Sequence, residues 1–376
     1  MRVLITGGAG FIGSRLSARL LQTGHQVRVL DNLSAQVHSN RPEESPLYKS
    51  LGQAVDFRRG DVTSRVDLEN ALKEQQVVVH LAAETGTGQS MYEIDRYTRV
   101  NVGGTALLLD VLANSRHGVR RVVVASSRAV YGEGKYQSGE MGFVYPAQRS
   151  ASDMTAGDFE IRHPGCSQPL TAVATDEEST LRPVSVYGIT KLTQEQLTMT
   201  VCPSLGIGAV ALRYQNVYGP GQSLSNPYTG IVSIFANLIM SEKSINVFED
   251  GLASRDFVYI DDAVEATLLA IERPEAVGQI LNVGSGSPVS VRSVAETLAR
   301  LLGANVPITV SGNFRLGDVR HNHASLERIG RVLRWAPQHS FEQGIALFCA
   351  WVRQVGATPD CFDASLAEMR GKGLLK

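Results

Sequence analysis

The chain has 376 residues, of which 43% are hydrophobic and 19% charged, so it can form a sizeable packed core in one large unit or about two domains. Its formal net charge of −1 excludes broad nucleic-acid binding, which would need a clustered positive excess. It has no run of about 18 apolar residues, so no membrane span is predicted, and its four cysteines lack the spacing of a disulfide framework, which favours a reducing cytoplasm.

Short apolar segments alternate with helical patterns through the first half of the chain. The predicted strands are Val3–Thr6, Gln26–Leu30, Val55–Arg58, Val77–His80, Val122–Ser126 and Ala209–Arg213. The predicted helices between them are Phe11–Gln22, Asp67–Glu74, Arg99–Asn114 and Val186–Thr200. Apolar strands that alternate with amphipathic helices are typical of a parallel sheet covered on both faces. The pattern predicts an α/β fold with a Rossmann-type doubly wound parallel sheet.

The second half changes to turn-rich segments and predicts a smaller α/β lobe. We expect residues 1–212 to form the sheet domain, with 133–182 as an irregular, polar insertion and about 255–283 returning to the sheet. Residues 213–254 and 284–355 would form the lobe. Its predicted helices are Ile231–Met240, Val291–Leu302 and Phe341–Val355. The tail at 356–376 carries no interpretable pattern.

Three glycines, spaced GxxGxxG, lie between the first predicted strand and the first predicted helix. Such a turn lets backbone N–H groups approach a pyrophosphate, whose charge the helix N-terminus favours. By itself it could be an ordinary tight turn, but the second strand ends at Asp31, about 20 residues on, where a carboxylate can bind the adenosine ribose. That carboxylate would repel a 2′-phosphate, so NAD is favoured over NADP. The third strand leads to Asp61 and Val62, beside the expected adenine.

Tyr187 and Lys191 are four residues apart in a predicted helix, which places both side chains on one face. A tyrosine has an ordinary pKa of about 10, but a neighbouring ammonium favours the phenolate. In an arbitrary sequence such a pair is more often a packing aromatic residue beside a surface lysine. Here Ser127 follows a strand whose carboxyl end meets the ligand crevice. The three residues therefore predict a catalytic group that shares one proton.

Seven segments resemble the extended short-chain dehydrogenase/reductase family, within its NAD-dependent epimerases and dehydratases. They are TGGAGFIGS (6–14), HLAA (80–83), SSRAVYG (126–132), YGITK (187–191), LRYQNVYGP (212–220), RDFVYIDD (255–262) and NVGSG (282–286). The resemblance spans about residues 1–353, and the segments occur in the family's order. It implies that Ser127, Tyr187 and Lys191 carry the chemistry. It also implies cofactor contacts from Gly7, Gly10, Phe11, Ile12, Gly13, Asp31, Asn32, Asp61, Val62, Leu81, Ala82, Ala83, Asn101, Tyr187 and Lys191.

The residues after Ser127 bear on which reaction the resemblance implies. Sugar-nucleotide 4,6-dehydratases carry an Asp–Glu pair there, and UDP-glucuronate decarboxylases tend to carry a glutamate before VYG. This chain has Arg128 and Ala129 instead. Without a further acid and base, the simplest chemistry is an epimerisation through a transient 4-keto sugar. Tyr187 would exchange the proton of the C4 hydroxyl, and NAD would stay bound through each cycle.

The resemblance also implies where a nucleotide-diphosphate sugar binds. Asn216, Arg255 and Arg315 match positions that hold the diphosphate, and Asp318 matches one that often contacts the nucleotide's ribose. Ser127 and Tyr187, already named, would contact the sugar. An arginine fork suits phosphate oxygens. The alternative is that these arginines are surface residues paired with acids.

Two loops are less generic: TGTGQSMYEIDRY (85–97) and GQSLSNPYTGIVSIF (221–235). With the long insertion, they resemble the dTDP-L-rhamnose 4-epimerase branch, which makes dTDP-6-deoxy-L-talose. Relatives there often carry two CPxCG-like zinc knuckles, matched here by SGEMG (138–142) and HPGCS (163–167). His163 and Cys166 alone cannot complete a tetrahedral zinc site, so no metal is predicted.

Three alternatives stay open: a UDP-glucose/UDP-galactose-type 4-epimerase, a non-catalytic NAD-binding protein of the same fold, and an oxidoreductase that releases its ketone. The presence of both Tyr187 and Lys191 argues against the second. The expected partner is a dTDP- or UDP-linked sugar, with no nucleic acid and no membrane. A homodimer is predicted through the helices Arg99–Asn114 and Val186–Thr200, where the family often forms a four-helix contact.

Overall fold

The structure is a computed structural model and describes residues 1–165, 168, 170–228, 230–358 and 362–376. Its strands are β1 (Arg2–Thr6), β2 (Gln26–Asp31), β3 (Asp56–Arg59), β4 (Val77–His80), β5 (Arg121–Ser127), β6 (Tyr136–Ser138), β7 (Gly142–Val144), β8 (Thr171–Ala172), β9 (Gly208–Tyr214), β10 (Asn216–Tyr218), β11 (Ile245–Val247), β12 (Ser254–Tyr259), β13 (Ile280–Val283), β14 (Pro288–Ser290), β15 (Ile308–Val310) and β16 (His321–Asn322).

The helices cover the sheets and connect their strands. They are α1 (Phe11–Gln22), α2 (Ala35–His38), α3 (Pro46–Lys49), α4 (Arg65–Leu72), α5 (Thr87–Ser90), α6 (Ile94–Tyr97), α7 (Gly104–Asn114), α8 (Ala151–Thr155), α9 (Val186–Ser204), α10 (Ile231–Met240), α11 (Ile260–Glu272), α12 (Val291–Leu302), α13 (Glu327–Leu333), α14 (Phe341–Val355) and α15 (Phe362–Gly371). No helix in the described part of the chain is long and apolar enough to cross a membrane.

The main sheet has seven strands in the order β13-β9-β5-β4-β1-β2-β3, and every neighbouring pair is parallel. Its central strands are apolar along their length because helices cover both faces. The strand order reverses between β1 and β4, where Thr6 pairs with His80. Ligands bind outside the carboxyl ends of the strands at such a switch point. The predicted Rossmann-type sheet is confirmed.

The six predicted strands are present, each within one residue of its predicted bounds. Four of the seven predicted helices have the predicted bounds, and three differ. The predicted helix Asp67–Glu74 begins and ends two residues earlier, as α4. The predicted helix Arg99–Asn114 is split into a π-helical turn at Thr98–Gly103 and the helix α7, and α9 continues beyond Thr200 to Ser204. The π-helical turn contains Asn101, and such turns often occur at functional sites.

A second sheet, with β12 at its centre, forms the lobe. β12 pairs with β10, β14 and β16, and the helices α10, α12 and α14 pack beside it. The segment predicted to return to the main sheet is therefore divided: β12 belongs to the lobe, whereas β13 is the seventh strand of the main sheet. The domain boundaries themselves stay a prediction.

The insertion at 133–182 is more ordered than its polar sequence predicts. β6, β7 and β8 form a small antiparallel sheet, and its own apolar cluster contains Tyr136, Val144, Ile161 and Leu170. Arg149 joins this insertion to the lobe, because its guanidinium donates two hydrogen bonds of 2.9 Å to the Glu249 carboxylate. The insertion therefore supports the lobe.

Candidate active site

One cavity of about 610 Å³ runs along the carboxyl edge of the main sheet, from the glycine turn to the lobe. It brings together residues that lie up to 367 positions apart in the sequence, from Gly7 to Leu374. The predicted site residues that line it are Gly7, Gly10, Phe11, Ile12, Gly13, Asp31, Asn32, Asp61, Val62, Leu81, Ala82, Ala83, Ser127, Tyr187, Lys191, Asn216, Arg255, Arg315 and Asp318.

The glycine turn packs so closely against neighbouring backbone that two of its positions have no room for a side chain. Gly7 has a φ of +69°, and a Cβ there would lie 2.7 Å from the backbone nitrogen of Ala82. A Cβ at Gly13 would lie 2.5 Å from the Cα of Gly8. Helix α1 follows, and no described side chain caps its first turn. Its N–H groups are therefore available to an anion such as a pyrophosphate.

Asp31 closes this end of the cavity. Its carboxylate accepts hydrogen bonds from the backbone N–H groups of Ala9 at 3.0 Å and Leu33 at 2.8 Å, and burial raises its pKa. Arg28 and Arg41, the basic residues nearest in sequence, are engaged elsewhere. Arg28 binds the Asp56 side chain and two backbone carbonyls, and Arg41 binds Glu44. A carboxylate without a free arginine beside it fits the ribose of NAD and disfavours a 2′-phosphate.

The structure does not bring Asn101 into the cavity. Its side-chain amide accepts the Glu84 N–H at 2.7 Å and donates to the Glu84 carbonyl and to the Thr190 hydroxyl, at 3.1 and 3.0 Å. All of these partners are internal, and the residue is fully buried. Asn101 therefore fixes the loop after β4 against α9, and any effect on the cofactor would pass through that loop.

Tyr187 and Ser127 meet where the two ends of the cavity join. Ser127 is the last residue of β5, and Tyr187 lies in the first turn of α9, which the Ser185 hydroxyl caps. The Tyr187 N–H also donates to the Ser90 hydroxyl at 3.0 Å. Burial raises the pKa of the Tyr187 phenol, whereas a hydrogen bond with the Ser127 side chain and the charge of Arg128 act against that rise. The pair is placed to exchange a proton with a bound hydroxyl.

Lys191, which the sequence predicts to act beside Tyr187, lines the same cavity as the tyrosine, and its catalytic role stays a prediction. Its ammonium donates to the Gln194 side chain at 2.8 Å, and Gln194 in turn donates to the Thr105 hydroxyl at 2.7 Å. Burial lowers the pKa of Lys191 to about 7. Arg128 is a further cation at this position, since its charge acts against the rise that burial causes in the pKa of the Tyr187 phenol. Lys191 lines the cavity beside it.

Arg128 is a residue whose role the sequence did not indicate. It lines the cavity next to Ser127, and its Nε donates to the Asn216 side chain at 2.7 Å. Burial and the nearby charge of Arg255 lower its pKa to about 10, so it remains a cation at neutral pH. Its position directly after the last residue of β5 was the one available signal.

The lobe end of the cavity is rich in arginine. Arg255 pairs with Asp318 at 2.9 Å, and Arg315 stacks its guanidinium on the Phe248 ring, with 4.9 Å between the charged carbon and the ring centroid. The Nε of Arg315 is buried and has no hydrogen-bond partner among the described residues. Together with Arg128, three cations surround one carboxylate. This excess of positive charge suits a diphosphate.

Two further residues complete this end of the cavity, and neither was a predicted site residue. Arg149, from the insertion, donates to the Asp318 backbone carbonyl at 3.1 Å while it binds Glu249, so it holds the loop that carries Arg315 and Asp318. Gln215 lines the cavity, and neither polar atom of its buried amide has a partner among the described residues. A ligand that reaches this amide would satisfy it.

The segments that resemble zinc knuckles are only partly described. Cys166 lies outside the described residues, and the His163 Nδ1 accepts the Gly165 N–H at 3.1 Å. Over the described ranges, no group of three or more His, Cys, Asp or Glu side chains is placed to hold a metal ion.

The fold and this cavity define a dinucleotide-binding enzyme class, and comparison with known proteins names it. The model of the NAD dependent epimerase/dehydratase family matches residues 3–153 and 160–284. The chain belongs to this family. Its cofactor is therefore NAD, and the glycine turn and Asp31 fit that group.

Individual relatives are similar over nearly the whole chain. The dTDP-L-rhamnose 4-epimerase of Burkholderia thailandensis is 41% identical over 94% of this chain and 95% of its own length. The UDP-glucose 4-epimerase of Mycolicibacterium smegmatis is 32% identical over 92% and 96%. Among solved structures, the UDP-glucose 4-epimerase of Thermotoga maritima with UDP-glucose superposes with a TM-score of 0.76 at 27% identity, covering 94% of this chain and 99% of that one.

Proposed function

We propose that this protein is a nucleotide-sugar 4-epimerase, an isomerase that interconverts dTDP-L-rhamnose and dTDP-6-deoxy-L-talose with NAD as a retained cofactor. One observation carries the proposal. A single cavity joins an NAD-type glycine turn to a cluster of arginines, and Ser127 and Tyr187 lie between the two ends. The relative from Burkholderia thailandensis, at 41% identity, supports the choice of sugar.

The residues of the chain supply the proton transfers. The Tyr187 phenolate accepts the proton of the sugar hydroxyl, and the phenol so formed returns it at the end of the cycle, while Ser127 hydrogen-bonds the reacting oxygen. The Arg128 guanidinium favours the phenolate because it places a positive charge beside it. Bound NAD would supply the reversible oxidation of the carbon that carries the hydroxyl. Lys191, whose ammonium donates to Gln194, would contact the bound NAD.

The lobe would anchor the substrate while its sugar turns over. Arg255 and Arg315 hold the diphosphate, and Asp318 binds the ribose of the nucleotide. Asn216, whose side chain accepts a hydrogen bond from Arg128, also contacts the diphosphate. Because the sugar carries no charge, it can present either face to Tyr187 while the diphosphate remains bound. Epimerisation requires this freedom, since the two products differ only in the face that is reduced.

The test is a comparison of three substrates. The purified protein is incubated separately with dTDP-L-rhamnose, UDP-galactose and UDP-glucose, and new anomeric signals are followed by NMR. We expect a new signal only with dTDP-L-rhamnose, without accumulation of free NADH. Conversion of a UDP sugar alone would support the UDP-hexose epimerase instead, which the UDP-glucose 4-epimerases among the relatives favour. Free NADH with a released ketone would indicate an oxidoreductase.

We also propose a homodimer through α7 and α9, which pack against each other. The outer faces of these helices carry apolar side chains: Leu107 is only partly buried, and Ile189 is 52% exposed. A second copy would cover this surface. Light scattering should give twice the mass of one chain, and Ile189→Glu should reduce it. A monomer at micromolar concentration would contradict the proposal.

A further inference from the structure

Three segments meet at the mouth of the cavity, although they are far apart in sequence. Tyr92 lies in the loop 85–97, Tyr228 in the loop 221–235, and Glu368 on α15. The two phenol oxygens are 2.9 Å apart, and both hydroxyls lie within hydrogen-bonding distance of the same Glu368 oxygen, at 3.1 and 2.9 Å. The two less generic loops of the sequence are therefore joined to each other by the C-terminal segment.

Burial holds this segment more firmly than these hydrogen bonds do. Glu368 is exposed, so its polar contacts contribute little to stability. Phe362, Leu366, Met369 and Leu375, in contrast, are at most 8% exposed and belong to the main apolar core. The segment is thus an integral part of the folded lobe.

The last residues of the chain also fix the arginine loop. The backbone of Phe314 exchanges two hydrogen bonds with Lys376, at 2.9 and 3.0 Å, and the Leu316 N–H donates to the Leu374 carbonyl at 3.0 Å. Arg315 lies between these paired residues, opposite Leu375. The position of Arg315, which is predicted to hold the diphosphate, therefore depends on residues 374–376.

Side chains of the same segment line the cavity. Met369 and Leu374 both contribute to its wall. The Met369 sulfur lies 3.0 Å from the point where a Cβ on Gly88 would stand. Gly88 belongs to the loop whose Ser90 hydroxyl accepts the Tyr187 N–H. Met369 is therefore packed on the loop that supports Tyr187, and it lines the same cavity as that tyrosine.

We propose that the segment 362–376 is part of the substrate site and that Met369 selects a sugar with a methyl group at C6 over one with a hydroxymethyl group. This inference rests on the proposed function. A thioether offers only a weak hydrogen-bond acceptor, so a hydroxyl placed against it loses water without a full replacement. An apolar wall rejects an added hydroxyl by at most about 100-fold. The expected selectivity is therefore moderate.

The experiment compares dTDP-L-rhamnose with dTDP-L-mannose, which differs from it only by the C6 hydroxyl. For the wild-type holoenzyme, kcat/KM is measured by NMR and affinity by calorimetry. The variants are Met369→Ala and Met369→Leu. The matched control is Leu366→Ala, which removes an apolar side chain from the same helix at a position that does not line the cavity.

We expect the wild-type protein to prefer dTDP-L-rhamnose, Met369→Ala to reduce that preference by about tenfold, and Met369→Leu to retain it. Leu366→Ala should lower thermal stability and leave the preference unchanged. The inference is overturned if the wild-type protein shows no preference between the two sugars, or if Met369→Ala leaves the preference unchanged. It is also overturned if Leu366→Ala reduces the preference as much as Met369→Ala does. If neither sugar is epimerised, the proposed function fails, and the ratio of the two affinities still decides the role of Met369.

Discussion

The two ends of the cavity are built in different ways. At the cofactor end, the predicted contacts follow β1, β2, β3 and β4, so each segment comes from the end of a neighbouring parallel strand. At the substrate end, Arg128, Arg255 and Arg315 come from separate parts of the chain, and Arg149 and the C-terminal segment hold the loop that carries Arg315. A local backbone pattern forms the first end, whereas long-range ion pairs and packing form the second.

The two ends of the cavity also differ in why a substitution would be costly. The glycine turn is restricted by backbone contacts as short as 2.5 Å to an added Cβ, so it tolerates almost no change in volume. The arginine end depends on buried charges: the side chain of Arg320 is fully buried and pairs with Glu249 and Asp250. Removing one partner of a buried pair is costly because it leaves an uncompensated charge. Variants at the two ends should therefore fail in distinguishable ways.

The largest effect is expected where the two ends meet. Tyr187→Phe removes the oxygen that exchanges the proton and should reduce kcat by about 10²–10⁴-fold or more, while NAD and nucleotide sugar still bind. Single-turnover kinetics and calorimetry check this. Tyr145→Phe, outside the cavity, is the control. Near-normal epimerisation by Tyr187→Phe would refute the assignment of the proton carrier.

Next in size is the loss of the buried pair that supports the substrate end. Arg149→Met leaves Glu249 with Arg320 alone and should cost about 3 kcal/mol of unfolding free energy, the low end for a broken buried pair. KM for the nucleotide sugar should rise while the affinity for NAD stays the same.

A matched control exists within the insertion. Arg162, which pairs with Asp158, is 65% exposed, whereas the Arg149 side chain is 4% exposed. Arg162→Met should leave the unfolding free energy almost unchanged, because exposed pairs contribute little. Urea denaturation of both variants measures the difference. Equal costs would show that the insertion does not support the lobe through Arg149.

The opposite pattern is expected at the cofactor end. Gly13→Ala forces a Cβ to within 2.5 Å of the Gly8 Cα and should cost about 1–3 kcal/mol, mostly as weaker NAD binding. Nucleotide-sugar affinity should change little. Gly139→Ala, where an added Cβ meets nothing within 4 Å, is the control. If both ligands are lost together, the two ends are not independent.

The smallest effect, and the most specific, is a change in pH dependence. Arg128 lowers the pKa of Tyr187, so Arg128→Gln should raise that pKa, and the phenolate then forms at higher pH. The acidic limb of the kcat profile should move upward by about one unit or more. Arg128→Lys keeps the charge and should keep the profile.

The charged and titratable groups around this pair are Lys191 on α9, Tyr97 on α6, and Arg255, Asp256 and Asp318 in the lobe. None of them is altered by the Arg128 variants. If the pH profile of kcat does not shift in Arg128→Gln, a cation other than Arg128 favours the phenolate. Lys191→Met is then the variant to examine next.

The sequence by itself determined the main sheet and most of the cofactor end. Strand and helix periodicities are local, and each predicted cofactor segment directly follows a strand or begins a helix, so their order along the chain maps onto the sheet edge. The family motifs placed Ser127 and Tyr187 in the same crevice for the same reason. Residues such as Asp31 were predictable because a single backbone element positions them.

The tertiary structure alone decided how the substrate end is held together. Arg128 acts on the phenol of Tyr187 and donates to the Asn216 side chain, a contact across 88 positions that no local spacing predicts. Arg149 meets Glu249 across 100 positions, and the C-terminal segment reaches the arginine loop. No periodicity encodes such contacts, since they depend on which surfaces the completed core brings together.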